Sequence, residues 1–459
     1  MRTKQKILFL IFFLMLVSIP MIFSDCRDDA TSPTPLTMSL TAEDVGVTDV
    51  LIKFRAECGE LGGVSFQLRR NGQTIFTLKP RPLAQRSIID TLLLDDSLRA
   101  NHQYTYKVYR VITTSTIDSS APTTITTMDT TSHNFMWEID SLGDVGSSVL
   151  YDVAVVSDTL AFAVGEIYKK DSLGNWINPP YNFARWNGKN WKLSTVLYRG
   201  GYAPIGFIFA LSEHDIWFGM GYLVHWDGVE YTAIEVPPLY GIGSNKMWAN
   251  PNGELYVVGN NGTIAFSSNR GSSWQKLASG TNMSLTDIYG SPNAIMIAGI
   301  DPALIKGIIL RNSGTSFRAI AEGDLISPNE IFEPKLYGYL TSVWMDENNT
   351  IYAGGNLLYQ YRLGKWDYVK SLPENYIGGN PNVYYRGFIY RIRGNKRNDF
   401  WFVGDRNTVR HFNGTTWQQV GLPYEPASDI IWRSIDSKNN FCVAVGDGWN
   451  RALCIRMKR

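Results

Sequence analysis

Glu254 to Leu277 reads ELYVVGNNGTIAFSSNRGSSWQKL, an apolar run ending at Gly259, followed after a polar stretch by a turn glycine, Gly271, and an aromatic, Trp274. Both marks recur along the chain. Apolar runs ending in glycine are found as LAFAVG (Gly165), IWFG (Gly219), LYVVG (Gly259), IMIAG (Gly299), IYAGG (Gly354), FWFVG (Gly404) and FCVAVG (Gly446). A turn glycine with an aromatic two or three positions on follows six of them: Gly188/Trp191, Gly228/Tyr231, Gly271/Trp274, Gly314/Phe317, Gly364/Trp366 and Gly414/Trp417. The marks stay in phase at a period of about 40 to 55 residues, enough for some four strands per unit, and such units bury their faces only against their neighbours.

The reading is therefore a seven-bladed β-propeller over residues 133–459. Its last unit stops at LCIRMKR, one strand short, whereas the region begins with NFMWEID around Trp137. Residues 134–140 are expected to complete the last blade and remove its exposed edge.

Residues 36–131 alternate apolar and polar positions in short runs, Val50 to Phe54, Val64 to Leu68, Thr74 to Leu78 and Tyr104 to Val111, with Asn71-Gly72 placed for a two-residue hairpin. These features describe a small β-sandwich. In LRANHQYTYKV, Leu98 lies six residues before Tyr104, and here the segment resembles fibronectin type III domains. The resemblance implies a tyrosine corner in which the Tyr104 hydroxyl bonds upstream backbone. Phe54 stands where that family carries a buried Trp.

At the start, Arg2, Lys4 and Lys6 precede an apolar run from Ile7 to Phe23 that ends at Ser24-Asp25-Cys26. This resembles a bacterial lipoprotein signal, with Asp25 where such signals usually carry Gly, Ala or Ser. The resemblance implies a signal peptide over 1–25, lipid on Cys26, and export to the outer membrane or cell surface. The alternative is an uncleaved membrane anchor, weakened by Pro20. Residues 26–35 hold nothing to bury and read as a tether.

Ser267 to Trp274 resembles the Asp-box of sialidase-type propellers, with Asn269 in place of Asp, and the same unit resembles photosystem-assembly propellers, which are exported lipoproteins. In those families the box is a structural turn.

With 43 basic and 42 acidic side chains among 459 residues, the charge gives no reason to expect nucleic acid. Charged residues make up 19% and aromatics 13%, which favours turn-rich β structure and excludes disorder. There is no G-x-S-x-G, H-E-x-x-H, P-loop or G-x-G-x-x-G, and the five His are scattered, so no metal site, triad or cofactor is expected. His225 and His411 take corresponding places in two units and read as structural. The function expected is non-catalytic recognition of an envelope or extracellular protein or glycan. A sialidase-like glycoside hydrolase at the channel is the alternative, although the Arg-Ile-Pro segment of that family is missing.

Length variation falls on one face of the ring, in Glu166 to Phe183, Glu322 to Leu340 and Leu372 to Gly387. Long loops on a rigid ring are where binding residues sit. The candidate binding residues are Tyr337, Tyr339, Tyr376, Tyr384, Tyr385 and Arg386, residue types suited to interface anchors; packing of the rings on one another is the alternative. Cys442 and Cys454 flank a hairpin turn and are candidates for a disulfide, unless a one-residue slip of register turns them to opposite faces.

Overall fold

A computed structural model describes residues 37–58, 64–79, 87–112, 114–144, 146–291, 294–325, 335–369, 388–423 and 429–459. Cys26, the tether, Tyr376, Tyr384, Tyr385 and Arg386 lie outside these residues. The chain divides into two compact units, Met1–Asp129 and Thr130–Arg459. The described residues form β-strands and one three-residue 3-10 turn, Pro237–Leu239.

In the first unit, one sheet pairs Val50–Cys58 with Thr37–Val45 on one side and Ser87–Asp95 on the other. A second sheet runs Gln73–Leu78, Val64–Arg70, Gln103–Ile112 and Ser115–Ser119, with Thr123–Thr126 also on Gln103–Ile112. The inward residues of both sheets make one core, in which Phe54 meets Phe66 with ring centroids 5.3 Å apart. Asn71 and Gly72 take the positive φ values, 48° and 84°, that a tight hairpin needs. The backbone N–H of Arg99 donates to the Tyr104 hydroxyl at 2.9 Å, so the expected bond to upstream backbone is made. Tyr106, fully buried, donates its hydroxyl to Asp95 at 2.7 Å.

The second unit contains seven antiparallel meanders, numbered here as sheets one to seven. Their first strands are Val149–Ser157, Phe207–Ser212, Ser244–Ala249, Ser284–Ser291, Leu340–Met345, Ile389–Lys396 and Ile431–Lys438. Each first strand touches the first strand of the next sheet, and the seventh touches the first, so the sheets close into a ring around these strands. Sheet four carries an additional parallel strand, Lys335–Tyr337.

The fourth strand of sheet seven is Met136–Leu142, which pairs with Arg451–Lys458 from Leu142↔Ala452 to Met136↔Lys458. The start of the unit thus closes its end. Trp137, around which this closure was expected, is 41% exposed; Phe135 is the ring that packs, with Trp401 at 4.7 Å.

The glycine that ends each second strand has a physical cause. All first strands but that of sheet two carry a bulge near their start, where a backbone carbonyl crowds this glycine. A Cβ on Gly404 would sit 2.0 Å from the Phe388 carbonyl, and one on Gly446 1.9 Å from that of Ile431. In sheet five the equivalent is Gly355, which pairs with Leu340, and not Gly354.

The expected disulfide is not formed. Cys442 lies opposite Met457 and Cys454 opposite Val445, an odd offset that turns the two thiols to opposite faces of sheet seven. Both are free and buried, in different core clusters, and burial pushes both thiols well above their ordinary range.

Candidate functional site

The bulges order the centre of the ring. The residue after each bulge is Asp152, Lys246, Asp287, Ser342, Arg391 and Ser434, and each lies opposite the residue preceding the marking glycine. All are buried or nearly so, and they pair with one another. Asp152 binds Lys246, accepts from the Ser434 hydroxyl at 2.6 Å and from the Ile208 N–H at 2.9 Å. Asp287 binds Arg391, accepts from Arg393 at 2.7 Å and from the Ser342 hydroxyl at 2.6 Å. These bonds join first strands that are far apart in sequence.

Burial alone would raise both carboxyl groups, but the cations prevail, Lys246 and Arg391 at Asp152, Arg391 and Arg393 at Asp287, and hold them below their ordinary value. Desolvation pushes the Lys246 ammonium down to about 8, with Asp152 opposing. Asp436, whose carboxylate accepts from the Val155 N–H at 2.7 Å, is raised by burial. The arrangement is a cross-ring clamp whose charged groups are taken up by each other.

The bulged residues themselves sit at the end of the ring where one sheet connects to the next. Thr286 and Thr341 donate hydroxyls to carbonyls of the following first strand, at 2.9 and 2.6 Å. Tyr390, Arg433 and Tyr151 come from three adjacent sheets, and Arg433 pairs with Asp447 at 2.6 Å. Nearby, Tyr202 donates to Glu166 at 3.3 Å. Burial first, then Glu166, pushes the Tyr202 phenol far above its ordinary value, so this phenol is a donor and a poor nucleophile.

On the same side, the connections between sheets and those between second and third strands carry aromatics. Tyr198 stacks on Tyr222 with centroids 4.9 Å apart and planes 11° from parallel. Arg199 and Tyr240 both bind Glu235. Tyr222, Tyr240 and Trp176 are 48%, 49% and 48% exposed. Tyr198, Tyr222, Arg199, Glu235 and Tyr240 make one connected cluster beside sheet two, on loops whose turns use positive φ at Arg199, Gly200 and Gly221, and Trp176 packs separately on Tyr168 at 6.4 Å.

Of the residues expected at the site, Tyr337 ends the additional strand of sheet four and is half-buried against the core, where its N–H donates to the Tyr359 hydroxyl at 2.9 Å. Tyr339 donates to the Pro302 carbonyl at 3.3 Å and packs on Phe388 at 5.8 Å. Tyr198, Tyr222 and Tyr240 lie outside the three long segments singled out from the sequence, whereas Trp176 lies within one of them, Glu166 to Phe183. The axial residues did leave a signal: Asp152 precedes Gly165 at the same distance as Lys246 precedes Gly259 and Arg391 precedes Gly404.

The turn at Ser267–Trp274 closes on itself. Ser267 accepts from the Gly271 N–H and Asn269 from the Ser273 N–H, both at 2.9 Å, and Trp274 donates to the Gly271 carbonyl at 3.1 Å. His225 and His411 are each held by an aspartate of the neighbouring strand, Asp215 at 2.8 Å and Asp399 at 2.9 Å. Among the described residues no group of three or more His, Cys, Asp or Glu side chains is arranged to hold a metal ion.

No protein-family model matches the chain, and no curated protein matches it in sequence. Among solved structures, YCF48 bound to D1 peptide is similar with a TM-score of 0.51 and 13% identity, over 70% of this chain and 95% of that one. YCF48 from Cyanidioschyzon merolae has a TM-score of 0.48 and 11% identity, over 70% and 98%. At such identity the likeness is one of fold, and with the closed ring of sheets it makes this chain a β-propeller protein.

Proposed function

We propose that this chain is an exported, lipid-anchored binding protein, with a fibronectin type III-like unit ahead of a seven-bladed propeller that recognises an extended protein segment without turning it over. The observation that carries this reading is the contrast between two surfaces. The charged groups on the axis are taken up by each other, while the connection face presents Tyr222, Tyr240 and Trp176 exposed to solvent, with the half-buried Tyr198 stacked on Tyr222. Exposed aromatics held in place lose little entropy on binding and are the usual anchors of protein interfaces. The peptide bound to YCF48 is a precedent for a protein ligand on this fold. The self-bonded Ser267–Trp274 turn supports its reading as an Asp-box-like structural element.

The test is cross-linking and capture from native membranes with the full chain, comparing wild type with the triple variant Tyr198→Ala, Tyr222→Ala, Tyr240→Ala. Loss of one discrete captured protein, with the melting temperature within a few degrees of wild type, is expected. Undiminished capture by the folded variant, or capture of glycan alone, overturns the reading. A parallel triple variant at Tyr384, Tyr385 and Arg386 tests the loop at 372–387. For the anchor, Cys26→Ser should move the chain from the membrane to the soluble fraction.

A further inference from the structure

The residues that lead into the closing strand are tied to sheet six. The Thr131 N–H donates to the Asn413 carbonyl at 3.1 Å, and the Thr131 hydroxyl donates to the Asn398 carbonyl. Phe135 packs edge-on against Trp401 and His411. Between these attachments, His133 and His411 face each other, Nδ1 to Nδ1, at 2.8 Å. The line continues at both ends, from His411 Nε2 to Asp399 Oδ1 at 2.9 Å and from His133 Nε2 to Thr416 Oγ1 at 3.0 Å. Sheet two builds the inner part alike, with Asp215, Trp217 and His225, and the line there ends at the single imidazole. The second imidazole is added in sheet six, beside the point where the two ends of the ring meet.

The protons along this line can be assigned. Asp399 accepts, so neutral His411 carries its hydrogen on Nε2 and offers a lone pair at Nδ1. His133 then donates from Nδ1 and accepts at Nε2 from the Thr416 hydroxyl. One further proton can be taken up, because the Thr416 hydroxyl can turn to Asn413 Oδ1, 3.2 Å away. A second cannot, since two imidazolium N–H groups would then oppose each other at the 2.8 Å contact. The charged groups facing the pair are Asp399 and, pairing with it at 2.6 Å, Arg459, which also lies over the Phe135 ring. Further along the closing strand, Glu138 and Asp140 face Arg456.

We propose that Asp399, His411, His133 and Thr416 form a proton-controlled latch, which holds residues 130–135 to the ring at neutral pH and releases them, loosening the closing strand, in acid. Burial, then His411 and Arg459, hold His133 down to about 4; burial also lowers His411 against the pull of Asp399. A released histidine takes its proton at the ordinary value of about 6.5. The released form therefore binds more protons between these values, so the latch is at full strength above about 6.5 and weakens as pH falls towards 4.

Hydrogen exchange of the full chain, corrected for the intrinsic pH dependence, tests this. Protection of residues 130–142 should fall about tenfold or more between pH 6.5 and 4.5, while that of Ile431–Lys438 stays. His133→Asn keeps a donor towards His411 but cannot titrate, and should move the fall to lower pH. Protection that is flat to pH 4.5 in the wild type, or an unshifted fall in the variant, overturns the proposal. Should the variant not fold, NMR titration of the wild-type imidazoles decides: midpoints below about 5.5 at His133 support the latch, and an ordinary midpoint near 6.5 overturns it.

Discussion

Gly404 shows how one hydrogen atom can set a repeat. Its Cβ position is already occupied to within 2.0 Å by the Phe388 carbonyl, which the bulge pushes inward. Gly404→Ala should therefore cost about 1 to 3 kcal/mol, as overpacking of a close-packed site does. Gly364→Ala, at φ 78° with open space around the new methyl, should cost about 1 kcal/mol through the left-handed backbone alone. Chemical denaturation of the two variants separates these causes. The marks were legible in the sequence because both glycine types answer to backbone geometry. The shift from Gly354 to Gly355 was not, since either residue satisfies the pattern and only the register chooses. Lys246 makes the opposite kind of residue, one defined by its partner. Lys246→Met leaves Asp152 charged and buried and should lose about 3 to 5 kcal/mol, and adding Asp152→Asn should recover part of that loss.

At the scale of the strand, closure rests on Met136–Leu142. Removing residues 134–140 uncovers the edge of Arg451–Lys458, frees Arg456 from Asp140 and Glu138, and takes Phe135 off Trp401. A fall in melting temperature of several degrees or more is expected by calorimetry, given that each kcal/mol moves a unit of this size by about 1 to 2 °C. In the first unit, Tyr104→Phe removes the acceptor of the Arg99 N–H and should cost about 1 kcal/mol in denaturant titration. Both elements could be read in advance, one from a missing strand and the other from a Leu and a Tyr six residues apart. The cysteines could not. A strand has period two, and no feature of FCVAVG or ALCIRM tells which of two registers the hairpin adopts.

Across the whole molecule, the repeats were visible because each meander needs the same turns and the same bulge. The candidate site was visible only in part. Loop length pointed to the connection face, but the stacked pair joins Tyr198, on the connection from sheet one to sheet two, to Tyr222, in a tight turn inside sheet two, and only the folded geometry brings them together. The axial clamp likewise joins Asp152 to Ser434 and Asp287 to Arg393, contacts between residues remote in sequence that only the closed ring brings together.

The pairing of Met136 with Lys458 puts the first and last residues of the ring side by side. A ring whose ends already touch has no privileged place to be cut. Joining residues 136 and 458 by a short linker and opening the chain at an exposed turn, such as that at Gly314, should give a circular permutant with the same sheets and the same axial clamp. In that permutant the seventh sheet would be covalently continuous, and the position of chain termini would become a free choice for attaching a label or a surface tether.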